Sequence, residues 1–260
     1  MPLHVEVRGS GPPLVLLHGF TQTGRLWGPF GERLAEHRTL VALDLPGHAG
    51  SEAVRADLPT TAGLVTEAVR ATIGTEPCDV LGYSLGARVA LHVVTGSDLE
   101  VGRLVCIGVT AGIEDETERA RRRAADETTA DSLEASGDVG AFLDAWLGGP
   151  LFARLTGDAA ARGERLRNSA AGLASSLRLC GTGTQAPLWD RLPSIRQPVL
   201  ALAGTDDIRF AALALRVART APSCVATLVP GGGHAVHLAQ PELTGRVVGH
   251  WLGLGEDGRA

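Results

Sequence analysis

Lysine is absent from the 260 residues, so all 24 basic side chains are arginines. Without a lysine amine there is no Schiff-base chemistry, no pyridoxal phosphate anchor and no P-loop. Whatever basic work is done falls to arginine. Acidic residues outnumber basic ones, 29 to 24, and the formal net charge of -5 argues against a nucleic-acid or anionic-membrane surface, since both need a basic stripe. Only four cysteines occur (Cys78, Cys106, Cys180, Cys224), none at Cys-x-x-Cys spacing and three within or beside apolar runs. They read as buried reduced thiols, not as a metal knuckle or a disulfide frame. No apolar run approaches the roughly 18 residues of a membrane span, and Met1 to Arg8 lacks a basic segment followed by a long apolar stretch. The expectation is a soluble cytoplasmic protein.

With 44% hydrophobic residues the chain can bury one sizeable core, as one large α/β domain or as a domain carrying an insertion. Short apolar runs bounded by Gly, Pro or Asp recur at Leu14 to Leu17, Leu40 to Leu43, Asp79 to Leu81 and Leu104 to Gly108. They predict buried strands. Helical patterns lie between them, at Thr60 to Ile73 and Leu85 to Val94, and this alternation implies a parallel sheet with right-handed crossovers. The alternation then stops. From Gly112 to Asp190 the sequence is helix-like, with breaks near Gly148 to Pro150 and Gly181 to Gly183. The β pattern resumes at Pro198 to Ala203 and Val225 to Val229, Pro241 to Leu252 closes the chain as a helix, and the tail from Gly253 to Ala260 is expected to fray. The expected organisation is a core from 1–111 and 191–260 with a helical lid, 112–190, inserted between two strands.

Gly82-Tyr83-Ser84-Leu85-Gly86 follows one strand pattern and precedes a helical one. A serine on so sharp a turn sits in a strained conformation that small neighbours allow, and its hydroxyl is lifted to the helix N-terminus. Serine needs a histidine to take its proton, and that histidine needs an acid to hold its tautomer. The run ending at Ala203 leads into Gly204-Thr205-Asp206-Asp207, and the run ending at Val229 leads into Pro230-Gly231-Gly232-Gly233-His234. Both follow the carboxyl ends of strands, where parallel sheets put their ligands. Ser84, Asp207 and His234 are the candidate catalytic set, with Asp206 the rival acid and His237 the rival base. A base that must be neutral to accept a proton implies activity that falls on the acid side. Leu14 to Leu17 runs into His18-Gly19-Phe20, and the backbone N–H groups of Phe20 and Leu85 are the candidate oxyanion hole. His18 and His48 are expected to brace turns.

These features resemble the α/β-hydrolase superfamily, and the resemblance implies that fold: a mostly parallel sheet with helices on both faces. A narrower resemblance lies in Gly82-Tyr83-Ser84-Leu85-Gly86-Ala87-Arg88, in Glu118-Arg119-Ala120-Arg121-Arg122-Arg123 with Asp126, in Phe142-Leu143-Asp144-Ala145-Trp146 with Pro150-Leu151-Phe152, in Leu166-Arg167-Asn168, and in Gly181-Thr182-Gly183 with Leu188-Trp189. Collinear across core and lid, they look like the family of 2-succinyl-6-hydroxy-2,4-cyclohexadiene-1-carboxylate (SHCHC) synthase of menaquinone biosynthesis. That resemblance implies a lyase, without cofactor or metal, that eliminates pyruvate from a small polycarboxylate, an enolpyruvyl cyclohexene with three carboxylates. It further implies that Arg88, Arg122 and Arg167 bind carboxylates and that Tyr83 and Trp146 form pocket walls. Arginine suits the task because its planar fork meets a carboxylate with two parallel hydrogen bonds. The pattern departs from the family at Ala87, in place of a second glycine, and in the loose match of Phe20-Thr21-Gln22-Thr23-Gly24. A serine esterase or carbon-carbon bond hydrolase working through an acyl-enzyme, and a non-catalytic receptor on the same fold, are the competing readings. A solvated pair between Arg122 and Glu118 is the bland alternative for that arginine.

Overall fold

The computed structural model describes residues 1–155 and 157–254. Seven strands form one sheet: β1 (Val5–Arg8), β2 (Pro13–Leu17), β3 (Thr39–Leu43), β4 (Cys78–Tyr83), β5 (Val101–Ile107), β6 (Val199–Gly204) and β7 (Cys224–Val229). Their spatial order is β1-β3-β2-β4-β5-β6-β7, parallel throughout except for β1, which runs antiparallel to β3. The chain belongs to the α/β class expected from its alternating pattern.

The strand runs read so clearly because β2, β4 and β6 are buried along their full length, as a sheet covered on both faces requires. Alternate residues serve opposite layers. Val15, Leu17, Val80, Cys106 and Ala201 pack with α2 (Leu58–Ile73), α3 (Leu85–Gly96) and α8 (Ile208–Thr220) on one face. Leu14, Leu16, Leu81, Val105 and Leu200 pack on the other face with α1 (Gly28–Ala35), α9 (Val236–Ala239) and α10 (Pro241–Trp251). β1, α1 and α8 lie where no element was expected. β1 is a four-residue edge strand whose second half is exposed, so it lacks the apolar run that marks its neighbours.

Between the adjacent strands β5 and β6 the described residues contain no strand. They form α4 (Glu116–Ser136), α5 (Val139–Leu147), α6 (Arg162–Arg165) and α7 (Ala170–Cys180), with short 3-10 turns at Pro150–Phe152 and Trp189–Ser194. Aspartates start two of these helices: Asp115 accepts from the Glu118 N–H at 2.7 Å and Asp138 from the Ala141 N–H at 2.8 Å. Gly137, at φ 64°, ends α4 in the left-handed conformation that glycine adopts without strain. Among the described residues no helix is long and apolar enough to cross a membrane. Of the tail expected to fray, Gly253 and Leu254 hydrogen-bond back to the end of α10, and residues 255–260 lie outside the described residues.

Candidate active site

β2 and β4 are neighbours, with Leu17 opposite Gly82, although the chain visits β3 between them. The crossover direction reverses at this point, and the loops beyond the carboxyl ends of the two strands leave a crevice between them. His18 to Gly24 emerges on one side and Ser84 on the other.

Ser84 follows β4 directly at φ 50° and ψ −103°, a sparsely populated conformation costing on the order of 1–3 kcal/mol, and it is the residue just before α3. A serine at a helix start ordinarily accepts a hydrogen bond from the first turn. Here it makes no such cap bond, and its Oγ lies 2.9 Å from Nε2 of His234. The turn is possible because two glycines let backbones touch: a Cβ on Gly82 would lie 2.4 Å from the Gly86 carbonyl oxygen, and one on Gly86 would lie 1.8 Å from that of Leu17. The Ser84 N–H donates to the Ile107 carbonyl at 2.8 Å, which ties the turn to β5.

Nδ1 of His234 lies 2.9 Å from Oδ2 of Asp207, and the other carboxylate oxygen accepts from the Phe210 N–H at 3.1 Å. Asp207 therefore faces the histidine while starting α8. Its rival Asp206 is exposed and pairs with Arg154. His237, the rival base, is fully buried against Trp27, Phe30 and Tyr83, and neither ring nitrogen finds a partner among the described residues. Burial, with Arg165 and His234 nearby, holds its pKa down at about 3. His18 braces the first loop: its Nε2 accepts from the Leu45 N–H at 3.0 Å, so Nδ1 carries the proton donated to the Gly19 carbonyl at 2.8 Å. Burial lowers its pKa to about 4, and that of His48, whose Nδ1 lies 3.0 Å from the Pro46 carbonyl, to about 3. Both remain neutral.

The Gln22 N–H closes a turn onto the Gly19 carbonyl at 3.0 Å, with Phe20 and Thr21 as its central residues. Thr21 stands at φ 68°, where a residue other than glycine is disfavoured by roughly 1–2 kcal/mol. Among the described residues neither the Phe20 nor the Leu85 N–H donates to a protein acceptor. They are free to receive an oxyanion.

A cavity opens over Ser84 and His234, walled by Phe20, Trp146, Leu177, Phe210 and Leu213 and carrying Arg88, Arg122 and Arg209. Arg88 is buried and its Nη1 donates to the Cys180 carbonyl at 2.7 Å; desolvation draws its pKa down to about 10, leaving it charged near neutrality. Arg122 is held through Nε, 2.8 Å from Oδ1 of the buried Asp126, not by Glu118. Anchoring at Nε leaves both terminal nitrogens for a ligand. Trp146 meets Phe20 edge-on at 5.2 Å and stacks with Phe142 at 5.8 Å.

Two sequence expectations are corrected here. Arg167 does not reach the cavity; its guanidinium turns outward to Glu164 at 2.7 Å. The reason is local, since Glu164 one turn earlier on the surface supplies a counter-charge. Tyr83 is not a wall: the alternation of β4 sends its ring inward beneath His234 and His237, at centroid distances of 5.4 and 4.5 Å. Arg209 and Phe210 were missed. Phe210 packs against the His234 ring at 4.3 Å, and the signal available was their place directly after the candidate acid, on the first turn of the next helix. Among the described residues no group of three or more His, Cys, Asp or Glu side chains could hold a metal ion.

A family model described as the alpha/beta hydrolase family matches residues 14–246. A Bacillus subtilis (strain 168) protein provisionally named SHCHC synthase is 34% identical over 255 residues, which cover 95% of this chain and 92% of the relative. The SHCHC synthase of Salmonella paratyphi C is 31% identical over 240 residues, 92% of each chain. Among solved structures, MenH from S. aureus superposes with a TM-score of 0.90 at 27% identity, covering 96% of this chain and 98% of its own.

Proposed function

Because this chain belongs to the alpha/beta hydrolase family and, within it, to the SHCHC synthases, we propose that it is a carbon–oxygen lyase that eliminates pyruvate from 2-succinyl-5-enolpyruvyl-6-hydroxy-3-cyclohexene-1-carboxylate in menaquinone biosynthesis. The observation that carries this reading beyond family is the pairing of a serine–histidine–aspartate relay with a wall of arginines. A neutral ester needs the relay alone. A ligand with three carboxylates needs the arginines as well.

In this reading His234, held by Asp207, accepts the Ser84 proton as Ser84 Oγ removes a ring proton beside the succinyl carbonyl. The electron pair moves through a developing dienolate, whose oxygen the Phe20 and Leu85 N–H groups stabilise. The ring carbon–oxygen bond then breaks, the departing enolpyruvate takes the proton from His234, and the enol tautomerises to pyruvate. Protons and electrons balance without a cofactor. Arg88 and Arg122 hold carboxylates, Arg209 adds a cation at the rim, and Trp146 covers the ring. The insertion, 112–190, serves as the lid of a cytoplasmic enzyme whose partner is a small polycarboxylate, not nucleic acid or membrane.

The test is turnover of the enolpyruvyl tricarboxylate, followed by pyruvate release, beside hydrolysis of a neutral nitrophenyl ester. Efficient pyruvate release that depends on Ser84 is expected. Ester hydrolysis with no elimination would overturn the lyase reading and leave an acyl-enzyme hydrolase.

A further inference from the structure

Arg165 is only 1% exposed, and among the described residues no carboxylate pairs with it. Its neighbours differ. Arg162 has Asp144 at 2.6 Å and Arg167 has Glu164 at 2.7 Å, both near the surface. A guanidinium taken out of water without a counter-ion is strongly disfavoured unless its donors are well used. Its Nε donates to the Ala160 carbonyl at 2.8 Å and its Nη1 donates to Oγ1 of Thr21, while Nη2 has no partner among the described residues.

Thr21 is the one residue of the Phe20 turn with a positive φ, 68°. The same short segment grips that turn elsewhere. Asn168 Nδ2 donates to the Thr21 carbonyl at 2.9 Å and to the Arg165 carbonyl at 2.8 Å, and Asn168 Oδ1 accepts from the Ala49 N–H at 3.1 Å. Thr23 Oγ1 donates to Glu164 at 2.7 Å. Residues 164–168 thus hold the hydroxyl and carbonyl of the residue that a relaxed turn would move first.

We propose that Arg165 is a positioning residue for the oxyanion hole: it fixes Thr21 in its left-handed conformation and so aims the Phe20 N–H at the reacting oxygen above Ser84. This rests on the reading of Phe20 and Leu85 as the hole. A threonine hydroxyl gives the guanidinium a fixed acceptor that glycine, the relaxed occupant of such a position, would not. The insertion then sets the geometry of a core loop, and the hole is complete only when residues 164–168 are seated.

The experiment measures kcat and KM for Arg165→Met, Arg165→Lys, Thr21→Val and the Met/Val double variant, on the tricarboxylate and on the neutral ester, with thermal unfolding alongside. Removing one oxyanion donor costs about 100- to 1000-fold in kcat; displacing one by misalignment is expected to cost about 10- to 100-fold in Arg165→Met, with KM held within about threefold. The loss appears on both substrates, since both develop charge on the same oxygen. Arg165→Lys recovers part of it, and the double variant is no slower than Arg165→Met, because the two changes break one contact. Losses that multiply, a loss confined to the tricarboxylate, or a fall in melting temperature with kcat intact would overturn the proposal. Should Arg165→Met not fold, Arg165→Lys and Thr21→Val carry the same comparison. A wild type that hydrolyses the ester but eliminates no pyruvate would refute the lyase reading, and the ester series would still decide the role of Arg165.

Discussion

At the strand ends the groups facing the cavity are fixed by backbone; in the insertion they are fixed by side-chain anchors. Ser84 is held by its own strained φ and by an N–H bond to β5, and Asp207 by starting α8. Arg122 faces the cavity because Asp126 grips its Nε, and Arg167 misses it because Glu164 draws it to the surface. Sheet register leaves a strand-end residue few alternatives. An exposed helical arginine, by contrast, goes to whichever acceptor lies within reach, so its sequence position says little about its aim. The relay therefore belongs to the fold, and the clamp is divided between Arg88 on α3 of the core and Arg122 in the insertion.

The comparison breaks most severely at the strand ends. Ser84→Ala and His234→Ala are each expected to lower kcat by on the order of 1000-fold or more, and Asp207→Asn by a similar amount through the wrong histidine tautomer, with little change in unfolding temperature. These losses are not additive. His237→Ala is expected to leave kcat far closer to wild type, because His237 touches neither Ser84 nor Asp207; a loss equal to that of His234→Ala would sink the assignment of the base.

The arginines give the next effect. Arg88→Ala or Arg122→Ala leaves a substrate carboxylate poorly paired, at a cost of about 2 to 4 kcal/mol, or roughly 30- to 1000-fold in kcat/KM for the tricarboxylate. Arg209→Ala, at the exposed rim, should cost about tenfold or less. Arg167→Ala should change kcat/KM by less than twofold. Hydrolysis of a neutral ester should survive all four. Steady-state rates on both substrates decide the matter, and a large loss in Arg167→Ala would mean that the insertion rearranges when substrate binds.

The last effect concerns stability and not turnover. Burial holds His18 neutral down to about pH 4 and His48 and His237 down to about pH 3, while an unfolded histidine takes up its proton near pH 6.5. Below about pH 6.5 the unfolded state binds more protons, so stability is full above that pH and is lost as the pH falls, by about 1.4 kcal/mol per pH unit for each such group. Urea unfolding at pH 7 and pH 5 should show the fall. His237→Leu, which removes one titrating ring and strands no partner, should flatten it. Equal slopes in the two proteins would contradict the prediction.

Much of this was determined by the sequence alone. Apolar runs bounded by turn residues announced six of the seven strands, because strands covered on both faces need such runs and even the part-exposed edge strand β7 keeps one, and the glycines around Ser84 announced the turn because they let β4 and α3 approach β2. The order of Ser84, Asp207 and His234 followed from where the strands end. Only the tertiary structure decided between Asp207 and Asp206, adjacent residues of equal chemistry, since a difference in direction at a helix start puts one against His234 and the other against Arg154. It likewise decided that Arg209 reaches the cavity while Arg167 does not, and that Arg165 grips Thr21 across 144 positions. Direction in a strand follows from a period of two and is legible. The destination of a long side chain depends on which acceptors the rest of the chain brings within its reach, and no local pattern encodes that.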